Sequence, residues 1–385
     1  MNKDFPVFYK MPVADCCGCE ACANACPKQI IHFKEDGVGF RFPEININEC
    51  IHCNACVRAC PQLSDDTGKI EIRECYAGYS KNSDIVELSS SGGLFTHVVE
   101  WFKSVFPHGK FAGVVWSDDF RYTKFVLVND LNELNNIRVA KYIQARKNGI
   151  YRLIKKELSM GTPILFSGCP CEVAALVSCI GRVPDNLFTI DFVCKGSTSE
   201  KVMREYLDIV AKNKKITSMN LRVVGGPSWI PQWMKITFAE GKGIFKSFYG
   251  TILGRAFFLL QREACYKCKY CGENRYSDLT LGDFHGADLS RMYYNARGTS
   301  IMTVNTDKGQ KILDYLNDVC ILEKVSYEEI SKHNIRIERP WDKDPKRDLF
   351  AKVFSQYGLF FAYLKVSTWK HALKTIIKRF FKQIV

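Results

Sequence analysis

Beyond about residue 67 the chain alternates short apolar runs with stretches of helical period, the pattern of an α/β domain. Residues 111–116 and 124–128 read as strands and 150–158 as a helix. Two strand–loop–helix units follow. Residues 163–166 are an apolar run of the buried-strand kind, leading through Ser167-Gly168-Cys169-Pro170-Cys171 into a helix over 172–180. Residues 187–193 form the second such run, leading through Cys194-Lys195-Gly196-Ser197-Thr198-Ser199 into a helix over 200–212. If these strands are parallel neighbours, both loops lie at the carboxyl edge of one sheet, where open α/β folds bind ligands. Cys171 and Cys194 then face one another. Ahead of residue 67, residues 30–33 and 38–42 read as two short strands joined across Glu35-Asp36-Gly37. At the other end, Trp369, Leu373, Ile376, Ile377, Phe380 and Ile384 recur at intervals of three and four among lysines, which predicts a basic amphipathic helix within 365–385.

Composition narrows this picture only slightly. With 385 residues, 46% hydrophobic and 25% charged, the chain is of ordinary globular make-up and long enough for two or three domains. No run of 18 apolar residues occurs, so no membrane span is expected. Residues 1–10 hold no export signal, which predicts a cytoplasmic protein. The net charge of +13 is uneven. The first 66 residues are net acidic, and the excess of Lys and Arg lies beyond them. A basic surface suits nucleic acid, anionic lipid or an acidic protein. No nucleic-acid module accompanies it, so no nucleic-acid partner is expected. The basic tail predicts peripheral contact with a membrane face.

The cysteines change the picture most. There are 18, and 14 of them fall in four clusters, 16–26, 50–60, 169–171 and 265–271. In a long chain without an export signal this favours metal over disulfides. Cys16-x2-Cys19-x2-Cys22-x3-Cys26-Pro27 recurs as Cys50-x2-Cys53-x2-Cys56-x3-Cys60-Pro61, each cysteine 34 positions later. A cubane needs four thiolates. Three come from one run, and the fourth, before proline, serves the other cube. One 4Fe-4S cluster is thus assigned to Cys16, Cys19, Cys22 and Cys60, the other to Cys50, Cys53, Cys56 and Cys26. Zinc, which takes four ligands in pairs, fits this order poorly. Cys17 has no slot in it.

A further run, Cys265-x2-Cys268-x2-Cys271, precedes residues 277–284. Cys265 and Cys268 with Cys171 and Cys194 make a third quartet, for another 4Fe-4S cluster. The alternative takes Cys265, Cys268 and Cys271 with Cys194, and a structural zinc is a third reading. Cys75, Cys179 and Cys320 read as core residues. Ser89-Ser90-Ser91-Gly92-Gly93 leads into a helical stretch over 94–106, and free N–H groups at a helix start suit an anion or a ring carbonyl. Such a loop also serves simply as a cap.

These motifs in this order resemble the beta-subunit family of coenzyme F420 hydrogenases and dehydrogenases, in a bacterial form with an N-terminal two-cluster ferredoxin. The resemblance rests on Ser91-Gly92-Gly93-Leu94-Phe95-Thr96, Lys141-Tyr142-Ile143-Gln144, Gly168-Cys169-Pro170-Cys171, Asp191-Phe192-Val193-Cys194-Lys195-Gly196, Cys265-Tyr266-Lys267-Cys268 and residues 277–286. It implies a flavin, FAD, near Ser91, Gly92, Gly93, Lys141, Tyr142, Gln144 and Gly168. Lys141 and Lys195 are expected to set charge near its ring. It also supports Cys171, Cys194, Cys265 and Cys268 as ligands. Cys169, Lys195 and His285 depart from the threonine, histidine and tryptophan of the resembling chains.

The expected organisation is an α+β ferredoxin module over 1–66, an α/β flavin and iron–sulfur domain over 67–335, and an extension over 336–385. The function expected is an oxidoreductase passing electrons between a two-electron donor or acceptor (a deazaflavin or a nicotinamide), a flavin and the clusters. A redox partner protein or soluble ferredoxin completes it. The alternative is a non-catalytic electron-transfer subunit feeding a partner enzyme, as in surface-polysaccharide metabolism. A sensor using its clusters structurally is the third reading.

Overall fold

The computed structural model of the chain describes residues 5–64, 68–224, 229 and 232–368. The basic helix expected around Trp369 and beyond lies outside the described residues. Among the described residues no helix is long and apolar enough to cross a membrane.

The N-terminal part carries an antiparallel hairpin of β1 (Ile31–Glu35) and β2 (Arg41–Ile45). The second strand starts three residues later than the apolar pattern predicts. Asp36 explains this, because its Oδ1 accepts from Val38 and Phe40 N–H at 3.0 and 2.8 Å and fixes residues 36–40 as the turn. Each cysteine run wraps a short helix, Ala21–Ala25 in the first repeat and Ala55–Arg58 in the second. Each helix is entered through a left-handed residue, Glu20 (φ 60°) and Asn54 (φ 57°).

The rest is built on β3 (Ile70–Glu71), β4 (Glu74–Ser80), β5 (Lys110–Trp116), β6 (Thr123–Val128), β7 (Ile164–Gly168), β8 (Leu187–Phe192), β9 (Ile216–Val223), β10 (Trp233–Phe238), β11 (Ile244–Ser247), β12 (Asn274–Arg275), β13 (Leu279–Asp283), β14 (Ser300–Val304) and β15 (Cys320–Val325). Eight of them form one mixed sheet in the order β15-β4-β14-β13-β8-β7-β5-β6. Its centre, β5-β7-β8-β13, is parallel, and antiparallel strands close both flanks. Strands β7 and β8 are buried on both faces, as parallel strands covered by helices are. The sheet β11-β10-β9 stands apart and packs on helices Glu200–Ala211 and Ile252–Leu259.

As expected, β7 and β8 are parallel neighbours, with Ile164 opposite Leu187. The loops after β7, β8 and β13 therefore open on one edge of the sheet. The helix after β7 runs Pro170–Ile180, starting two residues before the periodicity suggests. Proline is preorganised for the first helical position. Cys169 and Glu172 complete a capping box across it.

Candidate functional site

Thiols of the two runs neighbour one another. The Cys22 thiol lies near those of Cys16, Cys60 and Cys56, and Cys19 lies near Cys17 and Cys60. The Cys56 thiol has Cys50 and Cys26 beside it. A small cavity open to solvent is lined by Cys26, Cys50, Cys53 and Cys56 together with Pro27, Ile30 and Ile45. Burial pushes Cys16 up to about 11 and Cys60 up to about 12, and it raises Cys22 well above a free thiol. Thiols in this state become thiolates when a metal supplies the compensating charge. Among the described residues no three His, Cys, Asp or Glu side chains converge on one ion position. Ligands of a cubane instead stand apart around the cluster.

At the sheet edge, Cys194, Cys265, Cys268 and Cys271 form a ring of neighbours. Cys194 lies near Cys265 and Cys271, and Cys268 lies near Cys265 and touches Cys271. Cys169 touches Cys194 from one side. Cys171 lies near Cys169 and touches the Cys17 thiol of the first ferredoxin loop. Both Cys271 and Cys171 thus lie within this group of thiols, Cys271 beside Cys194 and Cys268 and Cys171 beside Cys169. Cationic side chains attend both groups. Arg262 donates to Cys16 O (3.1 Å), Arg41 O (2.7 Å) and Gln144 Oε1 (3.0 Å), and Arg336 donates to Cys194 O (3.2 Å). Lys147, fully buried, sits 2.8 Å from Glu172. Burial opposes its charge, but Glu172 and Glu20 outweigh that and hold its pKa above the usual lysine value. Glu172 in turn accepts from Cys169 N–H at 2.9 Å, so this ion pair anchors the Cys169–Cys171 loop.

The residues expected around a flavin divide into two sets. Ser91 Oγ donates to Thr299 O (2.8 Å) and Gly92 N–H to Ser300 Oγ (2.9 Å). A Cβ at Gly92 would meet Gly78 O at 2.5 Å, so close packing accounts for that glycine. Gly93 is the left-handed cap of helix Leu94–Val105. Lys141 is buried and donates to the carbonyls of Ile137, Arg138 and Val139, and burial lowers it to about 7. Gln144 donates to Cys17 O (2.7 Å) and Gly18 O (3.0 Å), which ties the ferredoxin loop to the main domain. Gly168 closes β7, with a would-be Cβ 2.9 Å from the Phe166 ring.

Tyr142 and Lys195 belong to the second set. Lys195 Nζ lies 3.0 Å from His285 Nε2 at the ends of β8 and β13. Arg222, buried, pairs with Asp283 at 2.8 Å and donates to Ser90 O at 3.0 Å, and it lies beside the Tyr142 hydroxyl. Burial, then Lys195, lowers His285 to about 4, against the pull of Asp283. A neutral His285 with Nε2 unprotonated accepts a hydrogen bond from the Lys195 ammonium. Arg222, Arg262, Arg336 and Asp283 escape a reading of the sequence. No periodicity marks them, and only Arg262, three residues before Cys265, and Asp283, inside the motif over 277–286, lie near a recognisable signal.

The fold and the cysteine geometry define an iron–sulfur protein of the electron-transfer class. Residues 15–63 match the 4Fe-4S dicluster domain, and residues 161–330 match the family described as the C terminus of the coenzyme F420 hydrogenase/dehydrogenase beta subunit. Residues 161–330 thus carry the C-terminal domain of the coenzyme F420 hydrogenase/dehydrogenase beta subunit, with a dicluster domain ahead of it. No curated protein matches. Among solved structures, a chain of the F420-reducing NiFe hydrogenase complex from Methanosarcina barkeri is similar at 15% identity and a TM-score of 0.48, over 79% of this chain and 94% of that one.

Proposed function

We propose that the chain is an oxidoreductase subunit that carries electrons between a two-electron donor or acceptor at the sheet edge and a protein partner, through a main-domain 4Fe-4S cluster and the two ferredoxin clusters. In this reading residues 1–66 are the ferredoxin module, 67–335 the flavin and iron–sulfur domain, and 336–385 an extension. The observation that carries it is the thiol ring of Cys194, Cys265, Cys268 and Cys271 at the carboxyl edge of the parallel strands, joined to the ferredoxin module through the Cys171–Cys17 contact. Cys194, Cys265 and Cys268 supply three thiolates. The ring favours Cys271 as the fourth, and the resemblance favours Cys171. The first two clusters take Cys16, Cys19, Cys22 and Cys60, and Cys50, Cys53, Cys56 and Cys26.

The proposed flavin, FAD, fits the second set of residues better than the first. Arg222 and Lys195 bring positive charge to one spot, Tyr142 and His285 border it, and Ser91, Gly92, Lys141 and Gln144 already spend their polar groups within the protein. When bound, a flavin supplies the conversion between hydride and single-electron chemistry. The residues around it hold charge at the ring: the Arg222–Asp283 pair fixes the guanidinium, and the Lys195 ammonium is aimed by neutral His285. A deazaflavin, a nicotinamide or reduced ferredoxin is the proposed donor.

The test is anaerobic purification followed by bound-flavin analysis and reduction by a reduced deazaflavin, NADH and reduced ferredoxin in turn. Stoichiometric flavin reduced by one of the three supports the oxidoreductase. A flavin-free protein whose clusters are reduced only by ferredoxin identifies a non-catalytic electron-transfer subunit instead.

A further inference from the structure

The two cysteine runs repeat each other position by position, so their loops form a control experiment within one chain. Cys17, Gly18, Cys19 and Glu20 of the first correspond, 34 residues on, to Ile51, His52, Cys53 and Asn54 of the second. All four residues of the first loop are buried, and all four of the second are exposed. The backbones match, with φ 68° and 60° at Gly18 and Glu20 against 54° and 57° at His52 and Asn54. What differs is the surroundings. Gln144 and Arg262 crowd the first loop so closely that a Cβ at Gly18 would lie 2.6 Å from Gln144 Nε2 and 2.8 Å from Arg262 Cζ. Its Cys17 thiol meets Cys171 at the mouth of the thiol ring. The second loop ends in solvent, with Ile51 55% exposed and the Cys53 ligand itself exposed.

Resting on the proposed function above, we infer that the two ferredoxin sites are unequal. The site of Cys16, Cys19, Cys22 and Cys60 is the internal relay, reached from the main domain through Cys171 and Cys17. The site of Cys50, Cys53, Cys56 and Cys26 is the terminal, and a one-electron carrier protein with an acidic face docks on residues 51–54. An exposed isoleucine beside an exposed ligand gives the partner an apolar centre close to the redox group. Basic residues frame it. Lys28 lines the same cavity as Cys53, and Arg58 Nη1 donates to Cys53 O at 3.0 Å. Glu49, the nearby acid, is engaged by the Asn46 side chain at 2.6 Å. A carrier seated at the first loop, whose residues 17–20 are buried, would have to displace the main domain.

The experiment uses the full-length holoprotein and a bacterial flavodoxin as the acidic carrier. Ile51→Glu and, separately, Lys28→Glu are compared with the parent for electron transfer to flavodoxin, for iron content and for the low-temperature EPR of the dithionite-reduced protein. KM for flavodoxin should rise about tenfold in each variant and rise with salt in the parent, while iron content and EPR stay unchanged. Unchanged KM in both variants at unchanged iron content overturns the assignment of the terminal. A parent chain that holds no cluster iron overturns the proposed function beneath it, and the two failures are distinct.

Discussion

Gly18 shows at the scale of one residue how the junction is made. Its φ of 68° is one that His52 also adopts in the exposed repeat, so conformation alone does not demand glycine there. The neighbouring Gln144 and Arg262 do. Gly18→Ala should destabilise the protein by about 1–3 kcal/mol through overpacking. His52→Ala should stay within about 0.5 kcal/mol. Denaturant midpoints of the two variants check this, and equal effects would place the constraint in the backbone. Lys147 makes a sharper case. Replacing it with Met leaves the buried Glu172 carboxylate without its counter-charge, a change expected to cost about 3–5 kcal/mol and to loosen the Cys169–Cys171 loop. For His285 the folded pKa of about 4 lies below the ordinary 6.5. The unfolded chain therefore takes up a proton between those values that the folded chain refuses. The site's contribution to stability is full above about pH 6.5 and is lost as pH falls toward 4. In His285→Gln the drop in melting temperature between pH 7 and pH 5 should be smaller than in the parent. An identical drop would show that another group is titrating.

At the scale of elements, the strand–loop–helix units were legible because their chemistry is local. A buried run such as Ile164–Gly168 bounded by Gly and Pro, followed by an amphipathic stretch, is recognisable without partners. Parallel pairing of β7 and β8 then brings the Cys169–Cys171 and Cys194 loops to one edge, as the sequence leads one to expect. The start of β2 departs from the apolar pattern because a side chain, Asp36, decides where the turn ends. Likewise the surroundings of Cys171 include the Cys17 loop, 154 positions upstream (171 minus 17), which spacing within the motif cannot convey. The Ser89–Gly93 loop reads as a cofactor cradle from its composition, yet its glycines are required by contact with β4 and by the cap of helix Leu94–Val105. The choice between Cys271 and Cys171 is tested at this scale. Cys271→Ser is expected to lose about four iron atoms and Cys171→Ser to retain them. The reverse outcome would make Cys171 the ligand.

For the whole molecule, the arrangement is one of layers in series. The ferredoxin module shares its inner edge with the main domain, where Cys17, Cys19 and Ala21 pack in the same apolar cluster as Tyr151, Phe166 and Tyr270. Its outer edge is open. The repeat in the cysteine runs predicts two sites of equal chemistry, and burial makes them unequal, which no inspection of one run alone would disclose. Cations line the route, with Arg262 at the first ferredoxin loop and Arg336 at Cys194, so the negative charge of clusters and thiolates meets fixed positive groups inside the protein. The central claim is that this route comprises three clusters. Iron and acid-labile sulfide per chain, measured after strictly anaerobic purification, test it most directly. About 12 iron atoms with matching sulfide are predicted, four for each cubane. About eight would contradict it, leaving the ferredoxin module as the sole iron–sulfur unit and the thiol ring at the sheet edge without its cluster.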